Sequence, residues 1–134
     1  MPHPLSTFFN PRTAAVVGAS PRPESRGFLL WRRALLAREA GGTQLWPVNP
    51  KHAEIGGEPC FASLGELPSA PDLVVCALEP AKAEETLAAC KDAGVRNVIL
   101  IAPDPLADAD LVAAGRAKAL AREYGIALMG PAAG

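Results

Sequence analysis

The fold is decided by the stretch Ala14-Ala-Val-Val-Gly18-Ala-Ser-Pro-Arg-Pro-Glu-Ser-Arg-Gly27. Its first five residues form an unbroken apolar run that ends in a glycine, which is typical of a parallel strand covered on both faces. A turn of small residues and prolines follows, and residues 28–39 then contain no helix breaker before a pair of glycines. This order of strand, turn and helix predicts the first part of a βαβ unit.

The rest of the chain alternates in the same way between short apolar runs and helical patterns. Strands are predicted at residues 14–18, 44–48, 73–77, 97–101 and 127–129, and helices at residues 28–39, 81–93 and 108–124. Residues 49–71, rich in proline and glycine, are predicted to form a surface connection with one short helical turn at residues 63–67. Because crossovers between parallel strands are almost always right-handed, the series predicts an α/β fold: a Rossmann-like, doubly wound, mainly parallel sheet with helices on both faces.

Length and composition exclude several classes of protein. With 134 residues the chain is expected to form a single domain, residues 1–134. The net charge of −1 at pH 7 gives no non-specific hold on nucleic acid or on an anionic membrane. No apolar run approaches the roughly 20 residues of a membrane-spanning helix, and the first residues lack the pattern of a signal peptide. We therefore expect a cytoplasmic protein that binds neither nucleic acid nor membrane.

The residues that most often carry metal or nucleophilic chemistry form no motif. Cys60, Cys76 and Cys90 are widely spaced without a C-x-x-C pair, so reduced thiols are expected rather than a disulfide framework or a zinc site. His3 and His52, the two histidines, stand far apart in polar, proline-rich segments. The sequence therefore assigns no catalytic residue and no metal ligand.

In an open α/β sheet, ligands bind outside the carboxyl ends of the strands, which directs attention to the loops that follow them. The first such loop begins at Gly18 and ends at Gly27 with small residues between them, so backbone can approach a ligand closely. The N-terminus of the following helix offers free N–H groups and a partial positive charge, which suit a phosphate. The loop is not G-x-G-x-x-G, however, and glycine-bearing turns also join strands to helices in proteins that bind nothing there.

The end of the second strand narrows the choice of ligand. A fold that holds NAD places an Asp or Glu there for the ribose hydroxyls, whereas this chain reads Val48-Asn-Pro-Lys51. A lysine here, with no Asp or Glu, favours a ligand whose ribose carries an additional phosphate, as in coenzyme A or NADP. The alternative is that Lys51 is a solvated lysine after a turn.

Four segments, taken in order, resemble a known family. They are Pro11-Arg-Thr-Ala-Ala-Val-Val-Gly-Ala-Ser20, Pro23-Glu-Ser-Arg-Gly27, Pro47-Val-Asn-Pro-Lys51, and Gly57-Glu-Pro-Cys60 with Ser63-Leu-Gly-Glu-Leu-Pro68. Together they resemble the CoA-binding domain of NDP-forming acyl-CoA synthetases, which also begins multidomain protein lysine acetyltransferases and is akin to the α-subunit of succinyl-CoA synthetase. The resemblance extends over residues 7–131.

The resemblance implies a cofactor, coenzyme A or acyl-CoA, and a set of residues that bind it. By this resemblance the CoA phosphates are held by Gly18, Ala19, Ser20, Ser25 and Gly27, the adenosine end borders Val48, Asn49, Pro50 and Lys51, and the loop after the third main strand, Ala77, Leu78, Glu79 and Pro80, lines the cofactor. The implied partners are further domains or a subunit of a synthetase or acetyltransferase.

Two segments depart from the pattern of this family. The chain has Ala102-Pro-Asp-Pro105 where members usually have a Ser-Ala-Gly-Phe-like loop, and Gly130-Pro-Ala-Ala-Gly134 where they usually have G-P-N and a small residue. Both departures fall near the expected thiol end of CoA. A stand-alone, non-catalytic CoA-binding or sensing module is therefore an alternative. An NADP-binding oxidoreductase domain is a weaker one, because no substrate domain and no catalytic proton donor is found.

Overall fold

The computed structural model describes residues 11–77, 79, 81–102 and 107–133. Within these residues, five strands form one parallel sheet, two short strands form a hairpin, and three α-helices pack on the main sheet. The strands are β1 (Thr13–Val17), β2 (Gln44–Val48), β3 (Glu54–Ile55), β4 (Glu58–Pro59), β5 (Leu73–Ala77), β6 (Asn97–Ala102) and β7 (Ala127–Ala133), and the helices are α1 (Arg26–Gly41), α2 (Ala83–Asp92) and α3 (Asp108–Tyr124).

The main sheet has the order β2-β1-β5-β6-β7, with every neighbouring pair parallel. The chain thus starts near the middle of the sheet, moves out to one edge and returns to build the other side. The predicted α/β fold with a Rossmann-like sheet is confirmed. The strand order reverses between β1 and β5, and such a switch point is where ligands bind in open α/β sheets.

Two apolar cores lie on opposite faces of this sheet. Ala15 of β1 points into the larger core, which β5, β6, α2 and α3 complete, while its neighbour Val16 packs against Leu30 and Trp31 of α1. Adjacent residues of one strand serve different cores because side chains alternate between the faces of a sheet. This two-sided burial explains why residues 14–17 of β1 are all apolar.

Helix α1 begins two residues earlier than its predicted start at residue 28. The hydroxyl of Ser25 caps it by accepting the N–H of Phe28 at 3.1 Å. The helix ends at Gly41, and the N–H of Gly42 donates to the carbonyl of Arg38 at 2.7 Å. An N-cap serine of this kind satisfies one of the free N–H groups of the first turn.

The connection between β2 and β5 contains more structure than the surface loop that the sequence predicts. Strands β3 and β4 form a hairpin through Gly56 and Gly57, whose φ angles of 58° and 82° suit the tight turns of hairpins. Ile55 is buried against the α1 face of the sheet. The helical turn predicted at residues 63–67 is a 3₁₀ turn, Leu64–Glu66, and Leu64 and the following Leu67 are buried on the other face. Strands of two residues produce no readable alternation, which is why the sequence does not predict them. Over the residues described, no helix is both long enough and apolar enough to cross a membrane.

Candidate ligand site at the carboxyl edge of the sheet

The loops after β1 and β2 lie side by side at the carboxyl edge of the sheet. The N–H of Gly18 donates to the carbonyl of Val48 at 2.8 Å, and Nδ2 of Asn49 donates to the carbonyl of Ala19 at 3.0 Å. The N–H of Lys51 in turn donates to Oδ1 of Asn49 at 2.9 Å. Two of the loops selected from the sequence are thus joined into one surface.

The first loop brings the start of α1 against the end of β1. Gly18 adopts a φ of 89°, which side-chain-bearing residues rarely do. A Cβ atom on Gly27 would lie 2.0 Å from the carbonyl oxygen of Gly18, so no larger residue fits this approach without movement of the backbone. Both glycines are therefore required by the local geometry.

The two serines of the first loop use their hydroxyls to shape it. Oγ of Ser20, a buried residue, accepts the N–H of Arg22 at 3.1 Å. Oγ of Ser25 donates to the carbonyl of Arg22 at 2.8 Å while it caps α1. What this loop offers to a ligand is then chiefly backbone, including the first N–H groups of α1, which have no carbonyl partner within the helix.

The electrostatic setting of the first loop favours an anion. The first turn of α1 is Arg-Gly-Phe-Leu and contains no acidic residue. Arg22 and Arg26 are exposed beside it, and Arg22 lies 3.7 Å from the carboxylate of Glu24, a solvated pair of little energetic weight. The partial positive charge of the helix N-terminus is therefore not neutralised within its own first turn.

The second loop is buried at its start and exposed at its end. Val48 is buried and Asn49 is half-buried, whereas Pro50 and Lys51 are exposed. Phe61 holds the buried start: its N–H donates to the carbonyl of Pro47, and its carbonyl accepts the N–H of Asn49, both at 2.9 Å. The sequence gives no sign of Phe61 as part of this site, because a single bridging residue leaves no pattern.

The third selected loop is described only in part. Ala77 ends β5 half-buried at the same edge, and Glu79 is exposed with its carboxylate 3.7 Å from Nζ of Lys82. Leu78 and Pro80 lie outside the described residues. So do residues 103–106, which include most of the proline-bearing segment that departs from the pattern of the family. The other departing segment continues β7 as far as Ala133, with a register shift opposite residues 99–101.

The cysteines are free thiols placed mainly for packing. Burial raises the pKa of the Cys76 thiol and raises that of Cys90 to about 12. Burial also raises the pKa of Cys60, and a backbone hydrogen bond with Asn49 partly offsets that effect. Thiols with raised pKa values are weak nucleophiles at neutral pH. The described part of the chain holds no group of three His, Cys, Asp or Glu residues that could bind a metal ion.

The parallel sheet, its switch point and the glycine-bearing loop at the start of α1 define a Rossmann-like α/β domain whose candidate site lies at the carboxyl edge. The chain belongs to the CoA binding domain family, whose model matches residues 12–133. The resemblance carried by the four sequence segments is thereby confirmed.

Curated relatives of this chain are ADP-forming acetate–CoA ligases. The α-subunit of ligase II of Pyrococcus furiosus is 33% identical over 97 residues, which are 72% of this chain and 21% of the relative. The α-subunit of ligase I of the same organism is 28% identical over 133 residues, 95% of this chain and 28% of the relative. The matched part of the chain thus spans only 21% and 28% of the length of these two relatives.

Solved structures extend the likeness to both large and small proteins. A dinucleotide-forming acetyl-coenzyme A synthetase 1 of Ca. Korarchaeum cryptofilum superimposes with a TM-score of 0.81 at 26% identity, covering 95% of this chain and 27% of that chain. A conserved hypothetical protein of Pyrococcus furiosus superimposes with a TM-score of 0.70 at 24% identity, covering 88% of this chain and 91% of that chain. The second likeness concerns the fold alone.

Proposed function

We propose that this chain binds coenzyme A or acyl-CoA at the carboxyl edge of its sheet. The pyrophosphate lies at the N-terminus of α1, and the adenosine end with its 3′-phosphate lies at residues 48–51. The observation that carries the proposal is the direct joining of these two loops through Asn49, which connects a helix N-terminus without an acid in its first turn to the segment that carries the exposed Lys51. Membership of the CoA binding domain family supports the same ligand.

The first loop supplies the pyrophosphate seat. Backbone N–H groups at a helix N-terminus bind phosphate through hydrogen bonds and through the helix dipole. The close approach of Gly27 to the carbonyl of Gly18 brings this N-terminus directly against the backbone of the loop. Gly18, Ala19, Ser20, Ser25 and Gly27 form the seat, with the serine hydroxyls shaping it.

The second loop selects the phosphorylated ribose. No acid stands at the end of β2, so the hydroxyls of a plain NAD ribose lack their usual acceptor. The Lys51 side chain is exposed on the joined surface, where its ammonium group reaches the 3′-phosphate of CoA. Val48, Asn49 and Pro50 border the adenosine, and residues 77–80 line the remainder of the cofactor.

The chain is proposed to act as one CoA-binding domain, residues 1–134, in a larger synthetase or acetyltransferase, with further domains or a subunit as its partners. Its share of the length of the ADP-forming ligases supports this role. We assign it no catalytic residue of its own. A stand-alone CoA-binding or sensing module is the second candidate, favoured by a solved protein of this fold of which the match with this chain covers 91%.

Calorimetric titration of the purified chain with CoA, acetyl-CoA, NAD and NADP tests the proposal. We expect CoA and acetyl-CoA to bind more tightly than either nicotinamide dinucleotide, because only they combine a pyrophosphate with a 3′-phosphate. Equal or tighter binding of NAD or NADP would overturn the assignment.

A further inference from the structure

The side chain of Asn49 uses both ends of its amide on the protein itself. Nδ2 donates to the carbonyl of Ala19 at 3.0 Å, and Oδ1 accepts the N–H of Lys51 at 2.9 Å. Its main chain is held as well, since its N–H donates to the carbonyl of Phe61 at 2.9 Å and its carbonyl accepts the thiol of Cys60 at 3.6 Å. One half-buried residue thus contacts three segments of the chain.

The two hydrogen bonds of the Asn49 side-chain amide have different structural roles. The bond from Oδ1 to the N–H two residues later closes an Asx turn, which fixes the path of the chain through Pro50 to Lys51. The bond from Nδ2 spans 30 residues of sequence and ties this turn to the first loop. Together they set where the Lys51 side chain starts relative to the N-terminus of α1.

From this geometry we propose that Asn49 is a positioning residue, which places Lys51 for the 3′-phosphate of CoA through its contacts with Ala19 and Lys51. The inference rests on the proposed CoA binding and assigns the amide to the protein rather than to the ligand. It has a specific consequence: the preference for CoA over dephospho-CoA resides in Lys51 but depends on Asn49.

The measurement is the ratio of the Kd for dephospho-CoA to the Kd for CoA, obtained by calorimetric titration. For the wild type we expect a ratio of about ten, the equivalent of ~1.4 kcal/mol for one charge-assisted contact. Lys51→Ala lowers the ratio to about one by weakening CoA alone. Asn49→Ala lowers it to about three or less although Lys51 is still present, and the double variant stays at about one.

Two further variants separate positioning from general support of the fold. Asn97→Ala is the matched control, because Nδ2 of Asn97 also donates to a distant carbonyl, that of Asp72 at 3.2 Å, but at the amino edge of the sheet. It should leave the ratio at the wild-type value. Asn49→Ser keeps an oxygen that can accept the Lys51 N–H, but its hydroxyl is one atom too short to replace Nδ2 at the carbonyl of Ala19, so it should recover part of the ratio that Asn49→Ala loses.

The outcomes distinguish this inference from the proposal beneath it. A wild-type ratio in Asn49→Ala, with both ligands weakened alike, overturns the positioning role. If the wild type binds CoA but the ratio is about one, Lys51 does not contact the 3′-phosphate. The inference is then overturned, while the proposal of CoA binding stands. Failure of the wild type to bind CoA overturns both. Thermal unfolding of each variant confirms that the titrated protein is folded.

Discussion

The N-terminus of α1 differs from those of α2 and α3, although all three face the carboxyl edge of the sheet. Helix α2 begins with Glu84 and Glu85 in its first turn, and α3 with Asp108 and Asp110. The buried Asp110 accepts the N–H of Ala107 at 2.9 Å, so its carboxylate serves the helix itself. Helix α1 has no such acid and is capped by a neutral serine.

This difference indicates a division of labour among the helix N-termini. Carboxylates in the first turn stabilise a helix through its dipole and offset the partial positive charge that would attract an anion. Helices α2 and α3 therefore carry negative charge where an anion would bind. Helix α1 carries none in its first turn, although the Ser25 hydroxyl occupies the N–H of Phe28, and only its preceding loop carries glycines that bring the backbone to the surface of the site.

Gly27→Ala, at the N-terminus of α1, is expected to have the largest effect on stability and CoA affinity. The added Cβ would meet the carbonyl oxygen of Gly18 at 2.0 Å, a contact with backbone that no rotamer change relieves. We expect the free energy of unfolding to fall by ~1–3 kcal/mol and CoA affinity to fall at least about tenfold. Denaturant unfolding and calorimetry measure the two effects.

Gly115→Ala provides the control for that substitution. Gly115 lies within α3, where an added Cβ meets nothing within 4 Å. Alanine is the better helix former, so this variant should gain ~0.5–1 kcal/mol of stability without a change in CoA affinity. If Gly27→Ala behaved like Gly115→Ala, the close packing of α1 on the first loop would be wrong.

Arg26→Glu would give α1 the acidic first turn that α2 and α3 already have. Because an acid near a helix N-terminus is favourable, the unliganded protein should gain ~0.3–1 kcal/mol of stability. CoA affinity should fall by about threefold to tenfold at low salt and less at high salt, since the new carboxylate repels the pyrophosphate. The opposite signs of the two effects are the informative result, and Arg26→Gln, which adds no negative charge, should lose less affinity.

If stability and CoA affinity both rose in Arg26→Glu, the phosphates would not lie at this helix.

The smallest expected effect on CoA affinity comes from a pair of cap removals, Ser25→Ala on α1 and Asp110→Ala on α3. Each removes a side chain that accepts a backbone N–H, so each should cost ~0.5–2 kcal/mol of stability. Only Ser25→Ala should also weaken CoA, by about threefold, because only its cap shapes the proposed phosphate seat. If both variants lost CoA affinity equally, the loss would be due to their lower stability and not to a change in the phosphate seat.

The sequence predicts the layered fold well and the details of the site poorly, for different physical reasons. Helix α3 and strands β2 and β5 have the predicted bounds, because a glycine or proline lies within three residues of each of their ends and marks it in the sequence. The first two residues of α1, Arg26 and Gly27, are not predicted, because they read as loop until the Ser25 cap is seen.

The position of the site follows from the general rule that ligands bind at the carboxyl edge, so the sequence could predict it. Its internal contacts could not be predicted. The approach of Gly27 to Gly18 and the bond from Asn49 to Ala19 join segments that are separated in the chain, and such contacts leave no periodic signal. The sequence therefore predicts that Asn49 contacts the ligand, whereas the structure shows both ends of its amide hydrogen-bonded to the protein.

The most direct test of CoA binding at α1 is amide chemical-shift mapping of the isotope-labelled chain during titration with CoA. We predict that the largest shifts occur in the first loop and α1 start, residues 18–28, and in residues 48–52, while the first turns of α2 and α3, residues 83–86 and 108–111, change little. Saturation with shifts concentrated at α2 or α3, or spread evenly over the sheet, would contradict the assignment of the site.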